Sequence, residues 1–247
     1  MKMAVVGAGR MGREVESVLR ERGLEPVVVR RGDVFPADCP VGIDFTRPDA
    51  VVENVGRALQ AGARYVVGTT GWDEHRETVR HLVEAAGSGL VHAANFSLGV
   101  NLFYVIVRQA ATLLARFPEY GPYVLERHHR GKLDAPSGTA RALAEVVQSA
   151  LGSRLQPQFT LDGPLPPDRF HVASVRGGGI VGDHAVGFDS GNDEIVLEHR
   201  ARSRRGLAWG AVLAAEWIAT RVGVYTFDDV VAELLGPAGH SVRGNEN

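Results

Sequence analysis

Through the first ninety-odd residues, short apolar runs alternate with stretches in which apolar residues return every third or fourth position. "MKMAVVG", "EPVVVR", "VGIDF", "RYVVGTT" and "GLVHAA" have the length and composition of buried strands. Between them, "RMGREVESVLRERG" sets Met11, Val15, Val18 and Leu19 at helical spacing and stops at Gly23. "PDAVVENVGRALQAGA" and "DEHRETVRHLVEAAG" read as helices in the same way. Strands buried on both faces and separated by amphipathic helices predict a parallel sheet covered on both sides.

The pattern changes after "NFSLGVN". A long apolar helix, "LGVNLFYVIVRQAATLLARF", is followed by "GPYVLERHH", "RFHVASVRGG", "IVGDHAVGFD" and "DEIVLEHRARS", strand-like runs joined by turns rich in Gly, Asp and Asn. "SGTARALAEVVQSALG" is the one clear helix among them, and "GSRLQPQFTLDGPLPPDR" is too rich in Pro and Gly for regular structure. The tail, "GLAWGAVLAAEWIATRVG" and "TFDDVVAELLG", returns to helix. The fold class expected is therefore α/β, in two parts. Residues 1–96 and 206–247 form a Rossmann-type dinucleotide-binding domain, and 97–205 form an α+β domain with a mixed sheet.

Composition narrows the function classes. The chain has 247 residues, 45% of them hydrophobic and 23% charged, as in a globular protein with a sizeable core. A formal net charge of -2 gives no electrostatic reason to expect nucleic acid or an anionic membrane as partner. Cys39 is the single cysteine, so no internal disulfide forms and no cysteine-based metal site is expected. The apolar run at the N-terminus is broken by glycines, so it predicts neither leader nor membrane anchor, and a cytoplasmic location is expected.

"VVGAGRMG" places Gly7, Gly9 and Gly12 directly after the first strand and at the opening of the first helix. In that setting the first glycine permits a tight turn, the second lets backbone approach a pyrophosphate, and the third lets helix and strand pack closely. The free N–H groups of the helix start favour the phosphates. The second strand ends "VVVRRGD", with Arg30 and Arg31 where an NAD site usually carries an acid. Two guanidiniums suit a 2′-phosphate, so NADPH is the expected cofactor; Asp33, slightly beyond that place, keeps NADH as the alternative.

The densest polar segment is "ERHHRGKLDAPSGTA", residues 126–140. On a strand, His128 and His129 point to opposite faces, which suits separate roles better than chelation of one metal. Imidazole titrates near neutrality and suits proton delivery. Lys132 adds a cation, Ser137 can cap the following helix, and Gly138 and Thr139 lie in its first turn. A lysine beside a helix start makes a carboxylate site.

This segment closely resembles the signature of dihydrodipicolinate reductase, also described as 4-hydroxy-tetrahydrodipicolinate reductase, of lysine and diaminopimelate synthesis. "GAGRMG", "IDFTRPDA", "GTTGWDE", "AANFSLGVN", "VGDHAVGF" and "EHRARSRRGLAWGA" extend the resemblance over nearly the whole chain. It implies that a 4-hydroxy-tetrahydrodipicolinate loses water and accepts hydride from a nicotinamide. His128 would be the general acid and Lys132 a second proton donor and carboxylate partner. His129, Ser137, Gly138 and Thr139 would hold a carboxylate of the small dicarboxylate substrate, while Arg204 helps position its ring. The cofactor would be bound by Gly7, Ala8, Gly9, Arg10 and Met11 with Gly12, by Arg30 and Arg31, by Gly68, Thr69 and Thr70, and by Ala93, Ala94, Asn95 and Phe96. No metal is implied.

The resemblance also implies a homotetramer joined through the sheet of the second domain. With cofactor and proton donor on different domains, hinges are expected near 95–101 and 203–206. Two rivals follow from the residues alone: a reductase of the same fold acting on another small imino or keto acid, and a non-catalytic NADPH sensor. The second has no need of the acid and cation in 128–132.

Overall fold

A computed structural model describes residues 1–236. Strands β1 (Lys2–Val6), β2 (Glu25–Val29), β3 (Val41–Asp44), β4 (Arg64–Val67) and β5 (Gly89–His92) alternate with helices α1 (Arg10–Glu21), α2 (Val51–Gln60) and α3 (Arg76–Ala85). After α4 (Leu98–Leu114) come β6 (Gly121–His128), α5 (Gly138–Ala150), β7 (Gln156–Gln158), β8 (Arg169–Arg176), β9 (Asp183–Asp189) and β10 (Glu194–Arg200). Helix α6 (Arg205–Ile218), β11 (Gly223–Thr226) and α7 (Phe227–Leu235) follow. The chain forms two compact units, Met1–Asn101 with the chain from Arg204 on, and Leu102–Ser203.

In the first unit six parallel strands run in the order β11-β5-β4-β3-β1-β2. β11 is an edge strand that the helical pattern of the tail did not announce: its four residues are half-buried, and the last of them, Thr226, is the cap of α7. Helix α6 packs on β3, β4, β5 and α1, and its buried Ala208, Ala211, Ala214 and Ala215 permit close approach. The strand order changes direction at β1, which is flanked by β2 and β3. In such sheets the crevice beyond the carboxyl ends of those strands is the usual ligand site.

The glycine-rich turn lies there. Gly7 adopts φ +93° and donates its N–H to the Val29 carbonyl at 2.9 Å. α1 then opens at Arg10, with Gly9 as an extended N-cap that supplies no side-chain bond. A Cβ at Gly12 would overlap the Gly7 carbonyl, whereas one at Gly9 would meet nothing within 4 Å. The two glycines therefore serve different ends: Gly12 lets the helix close on the turn, and Gly9 leaves the space above it clear.

A second constraint acts on the same crevice. Asp44, at the end of β3, has no solvent exposure. Its carboxylate accepts from Thr46 N (2.7 Å), Asn54 Nδ2 (2.9 Å), Tyr65 OH (3.1 Å) and Thr69 Oγ1 (3.3 Å). A buried carboxylate requires such partners, and here they fix the loops after β3 and β4. Those loops, with Met11, line a cleft of about 370 Å³ bounded by Phe45, Thr46, Pro48, Gly68, Thr69 and Thr70.

The second unit holds a mixed five-stranded sheet in the order β10-β9-β6-β8-β7. β6 is antiparallel to β9 and parallel to β8. Residues two apart on β6 share a face, so Val124 lies in register with Val172 and Val186 in the core. Phe103, Val107 and Ala111 of α4 and Leu143, Ala144 and Val147 of α5 belong to the same cluster. The stretch 152–169, expected to be irregular, contributes the short strand β7, paired in parallel with Arg169–His171. Pro157 is tolerated because an edge strand has one side without a partner, where a missing N–H costs nothing.

Gly12→Ala should destabilise the protein by about 1–3 kcal/mol, as overpacking of a closed contact does, while Gly9→Ala should leave stability nearly unchanged. Denaturant titration of the two variants checks the contrast.

Candidate active site

The period of two that places Val124 in the core continues to Glu126 and His128, the last residues on that face of β6. Both are buried, Glu126 completely and His128 to 8% exposure. The register sets Glu126 opposite His184 of β9, and His128 opposite Arg176 of β8. An acidic and a basic layer thus sits directly on the valine layer, assembled from three strands.

Its contacts follow from the cost of burying charge. One oxygen of Glu126 accepts from Arg176 Nη2 at 2.7 Å and from the backbone N–H of Ser137 at 3.2 Å. The other is in ion-pair contact with His128 Nδ1, by proximity rather than along the line of a hydrogen bond. Burial pushes the Glu126 carboxyl up, but Arg176, Ser174 and His128 together outweigh it and leave the group below the usual range. Burial lowers His128, and Glu126 offsets part of that fall. His184 is pushed down to about 4 by burial first and by the neighbouring His128 second. Its Nε2 stands 3.2 Å from Ser137 Oγ, and its ring meets His128 edge to face at 5.2 Å.

Ligand atoms of Glu126, His128 and His184 lie within 4.8 Å of one another, a spacing that a metal ion could use. One carboxylate oxygen is committed to a guanidinium and a backbone N–H, and the other lies against His128 Nδ1. His128 turns Nδ1 to the carboxylate and Nε2 to Gly182, where a Cβ would stand 2.9 Å from that nitrogen. Glycine at 182 keeps that nitrogen uncrowded.

The residues expected from the sequence are distributed as follows. β6 ends at His128, and His129 begins a turn in which its carbonyl accepts from Lys132 N at 3.1 Å. Lys132 is paired with Asp134 at 2.7 Å. Ser137 caps α5, its hydroxyl accepting from Ala140 N at 3.2 Å, and Gly138 and Thr139 open the helix. Ser137 is only 3% exposed, and its own N–H is spent on Glu126. Arg204 is the N-cap of α6, in the first unit.

Of the cofactor candidates, Met11, Gly68, Thr69 and Thr70 line the cleft, with Gly7, Ala8, Gly9, Arg10 and Gly12 in the turn at the carboxyl end of β1. Arg30 and Arg31 are exposed in the turn after β2, and Asp33 closes that turn by accepting from Arg30 N at 2.7 Å. Ala93, Ala94 and Asn95 follow β5, with Ala93 N bonded to the Val67 carbonyl at 3.3 Å. The Phe96 ring is buried between Phe45 and Phe227, so its side chain belongs to the core.

Sequence reasoning did not single out Glu126, Arg176, His184 or Asp44. Glu126 and His128 two apart on a strand were a readable signal, whereas the partners on β8 and β9 depend on register.

The chain matches two family descriptions, "Dihydrodipicolinate reductase, N-terminus" over residues 26–96 and "Dihydrodipicolinate reductase, C-terminus" over residues 99–231. It is 38% identical over 253 residues to the 4-hydroxy-tetrahydrodipicolinate reductase of Methanoculleus marisnigri, covering 94% of this chain and 99% of the relative. The enzyme of that name from Christiangramia forsetii is 33% identical over 240 residues, covering 95% and 99%. Among solved structures, the dipicolinate-bound dihydrodipicolinate reductase from Paenisporosarcina sp. TG-14 superposes with a TM-score of 0.75 at 26% identity, covering 93% of this chain and 99% of that one. The diaminopimelate dehydrogenase of C. glutamicum shares the fold, with a TM-score of 0.54 at 15% identity over 96% of each chain. Sheet and turn define a dinucleotide-binding fold, and the reductase relatives make the chain an oxidoreductase on that fold. The chain belongs to the dihydrodipicolinate reductase family.

His184 generates a stability prediction. Its folded value of about 4 lies below that of a free histidine. Between the two, the unfolded chain binds more protons, so stability rises with pH across this window and is lost as pH falls through it. The loss should reach on the order of 3 kcal/mol by pH 4. Denaturant midpoints between pH 7.5 and 4.5 should fall more steeply for wild type than for His184→Gln.

Proposed function

We propose that this chain reduces 4-hydroxy-tetrahydrodipicolinate, with loss of water, to tetrahydrodipicolinate in lysine and diaminopimelate synthesis, with a reduced nicotinamide dinucleotide as cofactor and NADPH preferred. One observation carries the reading: in a member of this family, His128 is buried with its Nδ1 against a carboxylate and its Nε2 facing an uncrowded glycine. The Paenisporosarcina relative was solved with dipicolinate, a planar ring with two carboxylates, and a dicarboxylate of that kind is the substrate class here.

The first unit fits a dinucleotide. Gly9 leaves the helix start clear for a pyrophosphate, the cleft beside Met11 and Gly68–Thr70 lies at the sheet's change of direction, and Arg30 and Arg31 are exposed after β2, as contact with a 2′-phosphate requires. When bound, the nicotinamide supplies the hydride. His128 holds a proton on Nε2 and gives it to the substrate skeleton as that hydride arrives. A dianionic substrate favours the imidazolium, countering the effect of burial on His128. Lys132, once it exchanges Asp134 for a substrate carboxylate, is the second cation and proton donor. His129, the Ser137 hydroxyl, Gly138 and Thr139 hold a carboxylate at the start of α5, and Arg204 positions the ring.

Exposed Val175, Ile195 and Val196 lie on strands β8 and β10 of the second unit's sheet, and this sheet is the surface through which a homotetramer forms. Among the described residues no helix is long and apolar enough to cross a membrane, and the cytoplasm is the compartment where the substrate would be made.

The deciding experiment mixes the purified protein with substrate freshly made by the preceding synthase and follows nicotinamide absorbance with NADPH and NADH separately. Substrate-dependent oxidation is expected, faster with NADPH; no oxidation with either would reject the reading. His128→Ala should lower turnover by roughly 10²–10⁴-fold, the range for loss of a general acid, with the KM for NADPH little changed. The double variant Arg30→Ala, Arg31→Ala should raise the KM for NADPH and leave that for NADH alone; equal loss for both would remove the 2′-phosphate contact.

A further inference from the structure

Glu126 is the only carboxylate among the described residues of the second unit with no exposure to solvent, and the reaction as written gives it no task. One of its oxygens is bound by Arg176 Nη2 at 2.7 Å and by Ser137 N at 3.2 Å, so it cannot swing away. The other rests against His128 Nδ1. An unprotonated Nδ1 would set its lone pair beside the negative charge of the carboxylate, so a neutral His128 keeps its proton on Nδ1. The ring is then oriented from behind, with Nε2 directed to the space beside Gly182.

We propose that Glu126 is the positioning residue of the reduction: it fixes the tautomer and direction of His128 and, through the Ser137 N–H, ties the proton donor to the start of α5. The inference rests on the reading of His128 as the general acid. His128 as imidazolium loses its Nε2 proton to the substrate and becomes the neutral Nδ1–H form, whose N–H stays beside the Glu126 carboxylate. The proton on Nε2 is then restored from solvent before the next turnover.

The other charged or titratable groups that face His128 are few. Arg176 reaches it from β8, His184 from β9, and Lys132 from the turn after β6. The two cations disfavour its protonation, and Glu126 alone favours it. Burial keeps His184 neutral near pH 7, so it adds no competing charge there. Glu126 therefore offsets part of what burial, Lys132 and Arg176 take away.

The test uses the full-length enzyme and the isosteric variant Glu126→Gln. Its kcat at neutral pH should fall by about one to two orders of magnitude, as when the outer partner of a functional histidine is lost, while the KM for NADPH stays within about twofold. The alkaline limb of the kcat–pH profile should move to lower pH, because the protonated form of His128 has lost its counter-charge. A reduced kcat with the limb unmoved would make Glu126 merely structural and overturn the proposal. A second measurement needs no variant: nitrogen-15 shifts of His128 in the wild-type enzyme above its pKa should report the Nδ1–H tautomer, and an Nε2–H tautomer would also overturn it. His128→Ala separates the two levels. If that variant keeps wild-type turnover and limb, the acid assignment fails; if it loses turnover while Glu126→Gln leaves the limb in place, only the role of Glu126 fails.

Discussion

A carboxylate cut off from water has to be surrounded by donors, and each unit of this protein is organised around one. Asp44 and Glu126 are both fully buried, and both lie at or near the carboxyl end of a strand. Asp44 gathers Thr46, Asn54, Tyr65 and Thr69, which come from one strand, one helix and two loops. Glu126 gathers Arg176, Ser137 and His128 from two strands and a helix cap. Unsatisfied buried charge is so costly that these partners have little freedom to choose other positions. The geometry of the loops is a by-product of solvating two carboxylates without water.

In the second unit the same constraint sets the acid–base character of the site. Three histidines of the sheet, His128, His184 and His199, are all lowered by burial. Only His128 has a carboxylate in contact, so the three are not equivalent. Identical side chains on one sheet are given different proton affinities by what stands behind them.

Much of this was legible in the sequence where the signal is local. The first five strands follow from apolar runs, the glycine turn from its position after β1, and the Ser137 cap from "APSG" before an alanine-rich helix. "VLERHH" showed its period of two, so a shared face for Val124, Glu126 and His128 could be read directly. What escaped depends on non-local pairing. β7 lies in a Pro-rich stretch and exists because Arg169–His171 offers it a partner. β11 is four residues between two helices and exists because β5 has an open edge. His184 and Arg176 join Glu126 and His128 through register alone, and a one-residue slip of either strand would turn them to the other face. Phe96 was named from the family pattern as a residue near the cofactor, and its ring packs in the core between Phe45 and Phe227.

The interrupted path of the chain bears on how the molecule is made. The first unit is begun by β1–β5 but finished by α6, β11 and α7, which are translated only after the entire second unit. Until then the face of β3, β4 and β5 that α6 covers is bare. During synthesis the second unit has all its strands by residue 200, whereas the first waits with an exposed apolar surface and an open sheet edge at β5. The half that begins at the N-terminus is thus the last to become complete, and the ribosome-bound chain passes through a stage in which its earliest strands are the ones most exposed to aggregation and to capture by chaperones.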